Sequence, residues 1–492
     1  MLVIVSDLHL SDGTTGATLA SGAFSLFVQR LRELALSASC RADGIFRPVQ
    51  RIDLVLLGDT LDLLHSAHWR EKPAIRPWGN THSPEFIEQI ARITSGIFAH
   101  NRQALALLRA LGTQAVVTLP SAMPIAGGHA KPQDQPTPVR IHYMVGNHDW
   151  FYHLPGPDYD RLRQTLVEQM GLANRPDRPF PHDITESDEL LQIMRRHKVT
   201  ARHGDIHDPL SFEGDRDASS LGDAIVIELL TRFAGEVESA LGDSLPVSAL
   251  LGLRELDNIR PTLLVPAWMD GLLERTCPLP AQRKQVKTLW DRLADEFLSS
   301  SFVRQRQTWS AVNLIDGLAG ALMFSKRRSN GWTAAVLNWM AMLRGVKSAS
   351  YYPHALGEQD FRNRRAKHVV YGHTHVSEHV PLDASYAEGY VLDQMYFNAC
   401  TWRRVHGQTQ FAPGEHEFIA SDAMTYLAFF QGDERGGRPY ETWSGTLGYA
   451  PAEITANRID VGRSAISAAQ AIHAPHFAIF PNSATGMPSR RS

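Results

Sequence analysis

Apolar, strand-like runs recur along this chain, and each is followed at once by side chains of the kinds that bind metal ions. The first run, Met1–Val5, leads into Asp7-Leu8-His9. In an extended chain, residues two apart point to the same face, so Asp7 and His9 can direct a carboxylate and an imidazole to one point. One such pair occurs by chance in many chains, so its meaning depends on the later runs.

Four later runs repeat the arrangement. They are Ile52–Leu57 before Gly58-Asp59-Thr60-Leu61-Asp62, Arg140–Val145 before Gly146-Asn147-His148-Asp149, Val199–Arg202 before His203-Gly204-Asp205, and His368–Tyr371 before Gly372-His373-Thr374-His375. Glycine permits sharp turns and a close approach of the backbone, and carboxylate, amide and imidazole groups suit a hydrolytic metal centre. Each block alone fits a buried histidine or a turn aspartate, but the ordered set predicts a metal site.

Helical periodicity fills the spaces between these strands. Ser21–Ser39 has the pattern of an amphipathic helix, so the first two strands form a β-α-β unit and lie parallel. Their nearly continuous apolar character is typical of strands covered on both faces. A second helix is predicted from Ser83-Pro84 to Gly112, and a third over Asp158–Gly171. The pattern indicates an α/β fold.

The five blocks, in this order, resemble the calcineurin-like metallophosphoesterase superfamily over roughly residues 1–215 and 368–445. This resemblance implies an α/β fold of the four-layer α-β-β-α type, a sandwich of two mixed sheets. We expect a metallophosphoesterase domain over residues 1–215 and 353–450. Helical stripes predict a helical insertion, a cap or side domain, over residues 216–352, and residues 451–492 have the composition of a loose tail.

The resemblance also implies a ligand set for two divalent cations. Asp59 would bridge them, because one carboxylate has two oxygens. The other implied ligands are Asp7, His9 and His375 for the first metal, and Asn147, His203 and His373 for the second. A mixed nitrogen and oxygen set favours Mn²⁺, and Fe, Zn²⁺ and Co²⁺ also fit.

For catalysis, the resemblance implies hydrolysis of a phosphodiester, pyrophosphate or phosphomonoester bond by metal-activated water. His148 matches the family histidine that acts as a general acid toward the leaving oxygen. Asp62 matches the carboxylate that orients this histidine. We expect Asp149 and Asp205 to support loops or ligands without binding metal.

Departures from the family's sequence pattern restrict the range of expected substrates. Serine/threonine protein phosphatases have Arg-Gly after the second block, where this chain has Leu63-Leu64, so a protein phosphatase is not expected. The third, fourth and fifth blocks are similar to those of the UDP-2,3-diacylglucosamine pyrophosphohydrolases, which are much shorter and have no counterpart of the insertion. The expected partner is a phosphate-containing small molecule.

Two alternatives remain open. A nuclease similar to Mre11 would use the basic surplus of residues 251–350, which hold 14 Lys and Arg against 8 Asp and Glu, to bind nucleic-acid phosphates. Its candidate residues are Arg283, Lys284, Lys287, Arg304, Arg306, Lys326, Arg327 and Arg328. The other alternative is a scaffold protein that binds metal without catalysing a reaction. Separately, the loop His65–His82 either holds an anionic group or packs Trp69 and Trp78 on the protein body.

Composition indicates an ordinary soluble globular protein. Hydrophobic residues make up 43% and charged residues 21% of the 492 residues. The cysteines Cys40, Cys277 and Cys400 have neither zinc-site nor disulfide-framework spacing, which favours a reducing compartment. We find no leader and no run of membrane-spanning length in the sequence, so we expect a cytoplasmic protein.

Overall fold

The computed structural model describes residues 1–15, 18–19, 21–122, 133–260, 262–306, 350–382, 394–412, 415–446 and 449–450. Helices and mixed sheets combine in an α/β fold. Met1–Ala452 forms one compact unit, and the second unit, Glu453–Ser492, lies outside the described residues, as do the helical stripes predicted between residues 312 and 343.

The strands are short and are numbered in chain order. They are β1 Leu2–Val5, β2 Thr18–Leu19, β3 Ile52–Leu57, β4 Thr118–Pro120, β5 Asp134–Pro136, β6 Val139–Met144, β7 Val199–Ala201, β8 Ile259–Arg260, β9 His368–Tyr371, β10 Ser377–Leu382, β11 Gln394–Ala399, β12 Val405–Ala412, β13 Glu415–Ser421, β14 Ala423–Phe429, β15 Tyr440–Thr446 and β16 Tyr449–Ala450.

The helices are numbered in the same way. They are α1 Ser21–Ala38, α2 His68–Glu71, α3 Pro84–His100, α4 Arg102–Thr113, α5 Pro157–Met170, α6 Asp188–His197, α7 Leu221–Ala224, α8 Arg232–Leu241, α9 Val247–Leu253, α10 Val265–Thr276, α11 Pro280–Ser299, α12 Ser301–Gln305, α13 Tyr352–Ala355 and α14 Gln359–Arg362. Single 3₁₀ turns occur at Trp150–His153, Ile184–Glu186, Asp205–His207, Leu256–Asn258, Thr262–Leu264 and Glu434–Gly437.

Two mixed sheets carry the strands that precede the sequence blocks. The larger has the order β15-β14-β1-β3-β6, in which β1, β3 and β6 are parallel neighbours and β14 runs antiparallel to β1. The second has the order β10-β11-β9-β7, in which β7, β9 and β11 are parallel. The predicted parallel pairing of β1 and β3 is confirmed.

Alternate residues of each strand enter different hydrophobic cores. In β1, Val3 faces a core formed with the helices, whereas Ile4 faces a core that also receives residues of the second sheet. In β9, Val370 joins that shared core, whereas Tyr371 packs in a smaller core on the opposite side. The continuous apolar runs therefore arise because both faces of these strands are covered.

The second predicted helix is two helices in the structure, so that prediction was wrong. α3 ends at His100 and α4 begins at Arg102, with Asn101 between them. The Asn101 side-chain amide donates to the backbone oxygen of Ser11 at 2.7 Å and to that of Ile97 at 2.9 Å. A contact with a distant loop thus sets the break, and no proline or glycine marks it in the sequence.

The described part of the insertion is mainly helical and has its own core, in which Phe233 and Trp290 pack edge to face at 5.0 Å. α7, a π-helical stretch at Ile225–Thr231 and α8 follow one another without interruption. The segment also supplies β8, which pairs in parallel with β12. This strand places insertion residues beside a strand that follows the last sequence block.

The loop His65–His82 packs both tryptophans on the protein body. The Trp69 indole is buried and donates to the backbone oxygen of Leu63 at 2.8 Å, and Trp78 stacks on Phe302 of the insertion at 4.6 Å between ring centroids. Loop and insertion line a cavity of about 550 Å³. Among the described helices, we find none with the length and apolar character needed to cross a bilayer.

The contact of α4 with the end of α5 gives a stability prediction. A Cβ at Gly112 would overlap the backbone oxygen of Gly171, which closes α5 with a left-handed φ of 68°. We expect Gly112→Ala to lower the free energy of unfolding by about 1–3 kcal/mol through overpacking. The matched control Gly271→Ala, in α10, meets only a flexible arginine end and should be stabilising by about 0.5–1 kcal/mol. Urea unfolding measures both, and equal effects would contradict the packing argument.

Candidate metal centre

The site lies where the parallel strands of both sheets end. The carboxyl ends of parallel strands meet at one edge, so residues that follow them in sequence are brought together. The predicted ligands each follow such a strand: Asp7 and His9 after β1, Asp59 after β3, Asn147 after β6, His203 after β7, and His373 and His375 after β9.

Several of these residues occupy backbone conformations that are unusual for side chains with a Cβ. The φ angle is 55° at Asp7, 45° at His9, 49° at Asp59, 68° at His373 and 59° at His375. Non-glycine residues with positive φ cost roughly 1–3 kcal/mol each and cluster at functional sites. The fold therefore holds these side chains in place at an energetic cost.

Glycines in the blocks allow the strand ends to approach one another. A Cβ on Gly58, whose φ is 84°, would lie 2.5 Å from His203 Nδ1. A Cβ on Gly146 would overlap the Asp59 carboxylate, and one on Gly372 would lie 2.5 Å from Asp7 Oδ2. In these three blocks, the glycine thus leaves the space that a ligand from another block occupies.

The first group of ligands is compact. The Asp7 Oδ1 atom lies 3.2 Å from His375 Nε2 and 3.7 Å from His9 Nε2, and the two imidazole Nε2 atoms are 3.0 Å apart. Asp7 Oδ1 is buried without a hydrogen-bond partner among the described residues. An unpaired carboxylate oxygen facing two ring nitrogens is the arrangement that a cation would satisfy.

The second group shares Asp59 with the first. Asp59 Oδ2 lies 3.1 Å from His203 Nε2 and 3.7 Å from His9 Nε2. His203 Nε2 is also 3.2 Å from the Asn147 side-chain oxygen. His373 belongs to the same group, with ligand atoms close enough to Asp59 and His203 to hold one ion. All seven predicted ligands are therefore brought together, in two groups with Asp59 between them.

Three of the four ligand histidines have an outer partner that fixes the ring. His9 Nδ1 donates to Asp62 at 3.0 Å, His203 Nδ1 to the Leu57 backbone oxygen at 3.0 Å, and His373 Nε2 to Asp208 at 3.0 Å. Once it has lost its proton, the remaining nitrogen of each ring is the one available to a metal. Such outer partners are characteristic of metal-ligating histidines.

His375 differs from the other three. Its Nδ1 atom lies 2.9 Å from the guanidinium of Arg260, which can only donate. A neutral imidazole that accepts at Nδ1 carries its proton on Nε2 and offers no lone pair there. The contact between Arg260 and His375 is therefore compatible with the protein only when no metal is bound to His375 Nε2.

Asp62 connects three histidines. Its carboxylate accepts from His9 Nδ1 at 3.0 Å, from His65 Nδ1 at 2.8 Å and from His148 Nδ1 at 2.9 Å. The predicted pairing of Asp62 with His148 is thus present in the structure. Because Nδ1 of His148 is engaged, Nε2 is the atom that can transfer a proton.

The close approach of carboxylates and imidazoles shifts the pKa values of the groups in the site. Burial disfavours the charged His148 ring, but the carboxylates of Asp62 and Asp59 outweigh it and raise the pKa of His148 to about 10. Burial likewise opposes ionisation of Asp59, yet His203 and His148 hold the pKa of Asp59 far below its ordinary value. Without metal ions, imidazolium groups neutralise the carboxylates of the site.

Sequence reasoning missed a ring of alternating acidic and basic side chains beside the ligands. Asp257 Oδ2 lies 3.3 Å from His65 Nε2 and accepts from Arg403 at 2.8 Å, and Arg403 is 3.5 Å from Asp62. We call Asp62, His65, Asp257 and Arg403 the charge ring. Arg403 lies between β11, which ends at Ala399, and β12, which begins at Val405. Asp257 and Arg260 lie in the insertion, where no motif marks them.

Asp149 joins two ligand loops without facing the metal groups. Its carboxylate accepts from the backbone N–H of Thr60 at 2.9 Å and of Gly146 at 2.6 Å, and from the Tyr143 hydroxyl at 2.6 Å. Burial, together with the nearby Asp59, raises the pKa of Asp149 to about 6. Asp205 likewise pairs with Arg216 at 2.8 Å. These positions fit the supporting roles predicted for both aspartates.

The hydroxyl of Tyr143 gives a test of this support. We expect Tyr143→Phe to lower the free energy of unfolding by about 1.5–3 kcal/mol, because a buried carboxylate loses a charge-assisted hydrogen bond. Tyr426→Phe is the control, since its hydroxyl has no hydrogen-bond partner among the described residues. Denaturant unfolding of the metal-free proteins compares them. A loss at Tyr143 no greater than that at Tyr426 would contradict the supporting role.

Comparison with known proteins does not identify a family for this chain. No protein-family model matches the chain, and no curated protein matches it. The resemblance to the metallophosphoesterases therefore stays a prediction, carried by the sequence blocks and by the grouping of their residues.

Proposed function

We propose that the chain is a dinuclear-metal-dependent phosphoesterase of the calcineurin-like superfamily, with the four-layer α-β-β-α sandwich of that family. One observation carries the proposal: seven side chains from five strand ends form two ligand groups that share the Asp59 carboxylate. A structural role alone does not require an unpaired, buried Asp7 oxygen facing the ring nitrogens of His9 and His375.

The donor set fits two divalent cations. Asp7, His9 and His375 would hold the first, and Asp59 would contribute to both. For the second, Asn147 would add a neutral amide oxygen beside His203 and His373, which limits the negative charge facing a phosphate. Mn²⁺ suits this mixed set best, and Fe, Zn²⁺ and Co²⁺ also suit it. Such a metal pair supplies Lewis-acid stabilisation of phosphoryl oxygens and lowers the pKa of water.

The chain itself supplies the proton for the leaving group. The His148 backbone N–H donates to Asp59 at 2.8 Å, and its Nδ1 donates to Asp62 at 2.9 Å. The ring is thereby fixed next to the carboxylate that both ligand groups share. Its Nε2 can protonate a departing alkoxide, a contribution of about 10²–10⁴ in rate.

The substrate class that fits best is a phosphate-containing small molecule. Of the basic residues that favoured a nuclease, Lys287 pairs with Asp270 at 3.0 Å and Arg306 with Glu213 at 2.6 Å. Residues 326–328 lie outside the described residues. Charges that are already paired contribute less to the binding of nucleic-acid phosphates.

The decisive assay compares bis-p-nitrophenyl phosphate with p-nitrophenyl phosphate in the presence of Mn²⁺. We expect Asp59→Ala to abolish turnover and to lower the bound metal content, because it removes the shared ligand. His148→Ala should keep its metal and lower kcat by about 10²–10⁴. The factor by which His148→Ala lowers kcat should be larger for substrates with a more basic leaving alkoxide, because such a group depends more on protonation as it departs.

The control is His197→Gln, another buried histidine, whose Nδ1 contacts the Ile193 backbone oxygen at 2.8 Å. It should retain both activity and metal. Cleavage of the diester in preference to the monoester would indicate phosphodiester or pyrophosphate substrates. Metal-loaded wild-type protein that cleaves neither ester, nor any phosphoester in a substrate panel, would favour the scaffold.

Arg260 provides a second test, which measures metal affinity. Its charge lies 2.9 Å from a ligand ring and opposes both the cation and the Nδ1–H tautomer that His375 needs. We expect Arg260→Gln to tighten Mn²⁺ binding at the first group roughly tenfold or more. Arg260→Lys keeps the charge and should change the affinity less, and Arg292→Gln, on an exposed helix face, should leave it unchanged.

Calorimetric titration of the metal-free proteins with Mn²⁺ measures these affinities. Weaker binding in Arg260→Gln would mean that the arginine supports the ligand group, and the argument from the tautomer would then fail.

A further inference from the structure

A third cluster of possible ligands lies outside the two groups described above. It combines His153, at the end of the 3₁₀ turn Trp150–His153, with His182 and with Asp217, which precedes the insertion helices. The His153 Nδ1 atom lies 2.5 Å from Asp217 Oδ1, and His182 Nε2 lies 3.4 Å from the same oxygen. The two imidazole centroids are 4.4 Å apart. Three donor atoms of three residues thus face one point.

His182 supplies the second, independent observation. Its side chain is only 3% exposed, yet neither ring nitrogen makes a hydrogen bond among the described residues. A buried imidazole whose ring nitrogens make no hydrogen bond costs free energy. Burial also lowers the pKa of His182 from its ordinary value, which favours the uncharged ring.

Glu186 completes the arrangement from outside. Its carboxylate lies 3.3 Å from His153 Nε2 and accepts the His182 backbone N–H at 3.0 Å. It therefore orients the His153 ring with Nδ1 directed toward Asp217, as outer carboxylates do for metal-ligating histidines. Asp217 itself is 39% exposed, so an ion can enter from solvent and keep a water on the open side.

We propose that His153, His182 and Asp217 form a separate, mononuclear site for a divalent transition metal, with Zn²⁺ the best fit. Two imidazoles and one carboxylate, with one position open to water, are a ligand set that Zn²⁺ takes in four-coordinate sites. The ion would join the segment that follows the Asn147-His148 block to the segment that begins the insertion. None of its ligands belongs to the dinuclear groups.

The test counts metal in the full-length protein. The chain is stripped with a chelator, dialysed against Zn²⁺ and analysed by mass spectrometry, in wild type, His182→Gln and Asp217→Asn. We expect each variant to lose one equivalent relative to wild type. His197→Gln, the buried-histidine control, should lose none. Asp217 is partly exposed, so its variant remains informative if His182→Gln fails to fold. Glu186→Gln should weaken this binding by about 10–100-fold.

The outcomes separate this site from the dinuclear one. Asp59→Ala should remove metal from the dinuclear groups and leave the His182-dependent equivalent in place, even if the proposed phosphoesterase activity is never found. Anomalous scattering from a Zn²⁺-loaded crystal should place an ion between His153 Nδ1, His182 Nε2 and Asp217. Equal metal content in wild type, His182→Gln and Asp217→Asn would overturn the proposal, and so would an equal loss in His197→Gln.

Discussion

The burial of the Asp59 carboxylate is the constraint on which the rest of the site depends. This side chain is about 1% exposed, and an isolated carboxylate at such a position is prohibitively costly. It is tolerated because the His203 ring and the His148 backbone N–H contact it from two other strand ends. Those contacts require three strand ends to meet, and they can meet only where glycine leaves room, as Gly146 does beside Asp59. The strained φ angles at the ligands are a consequence of the same crowding.

The two sheets supply the rigidity that this crowding needs. Residues of β1, β3 and β9 alternate between cores, so these three ligand-bearing strands are held on both faces. Burial of apolar side chains, at roughly 1.5–3 kcal/mol each, offsets the cost of several strained residues. Because the ligands follow the strands within a few residues, their positions are set by the sheets. The proposed metal site would therefore be preorganised, with a geometry that does not depend on long loops.

Much of the site could be predicted from the sequence because its signals are local. An apolar run followed by a glycine block defines a strand end, and the bounds of β3 and β9 match the predicted Ile52–Leu57 and His368–Tyr371. Features set by distant contacts could not be predicted. The break at Asn101 depends on the Ser11 backbone oxygen, and the approach of Arg260 to His375 depends on the pairing of β8 with β12. Neither partner is visible in the local pattern.

The charge ring connects the insertion to the site. Asp257 comes from the insertion, and it shares His65 and Arg403 with Asp62, the carboxylate that orients His148. All four members are buried, so the carboxylates of Asp62 and Asp257 interact with the Arg403 guanidinium and the His65 ring in a low-dielectric environment. Removing one member would take a partner from each of its two buried neighbours, at a cost greater than that of losing a surface ion pair. The insertion is therefore linked electrostatically to the support of the proposed general acid, and a description of it as a detachable cap would omit this link.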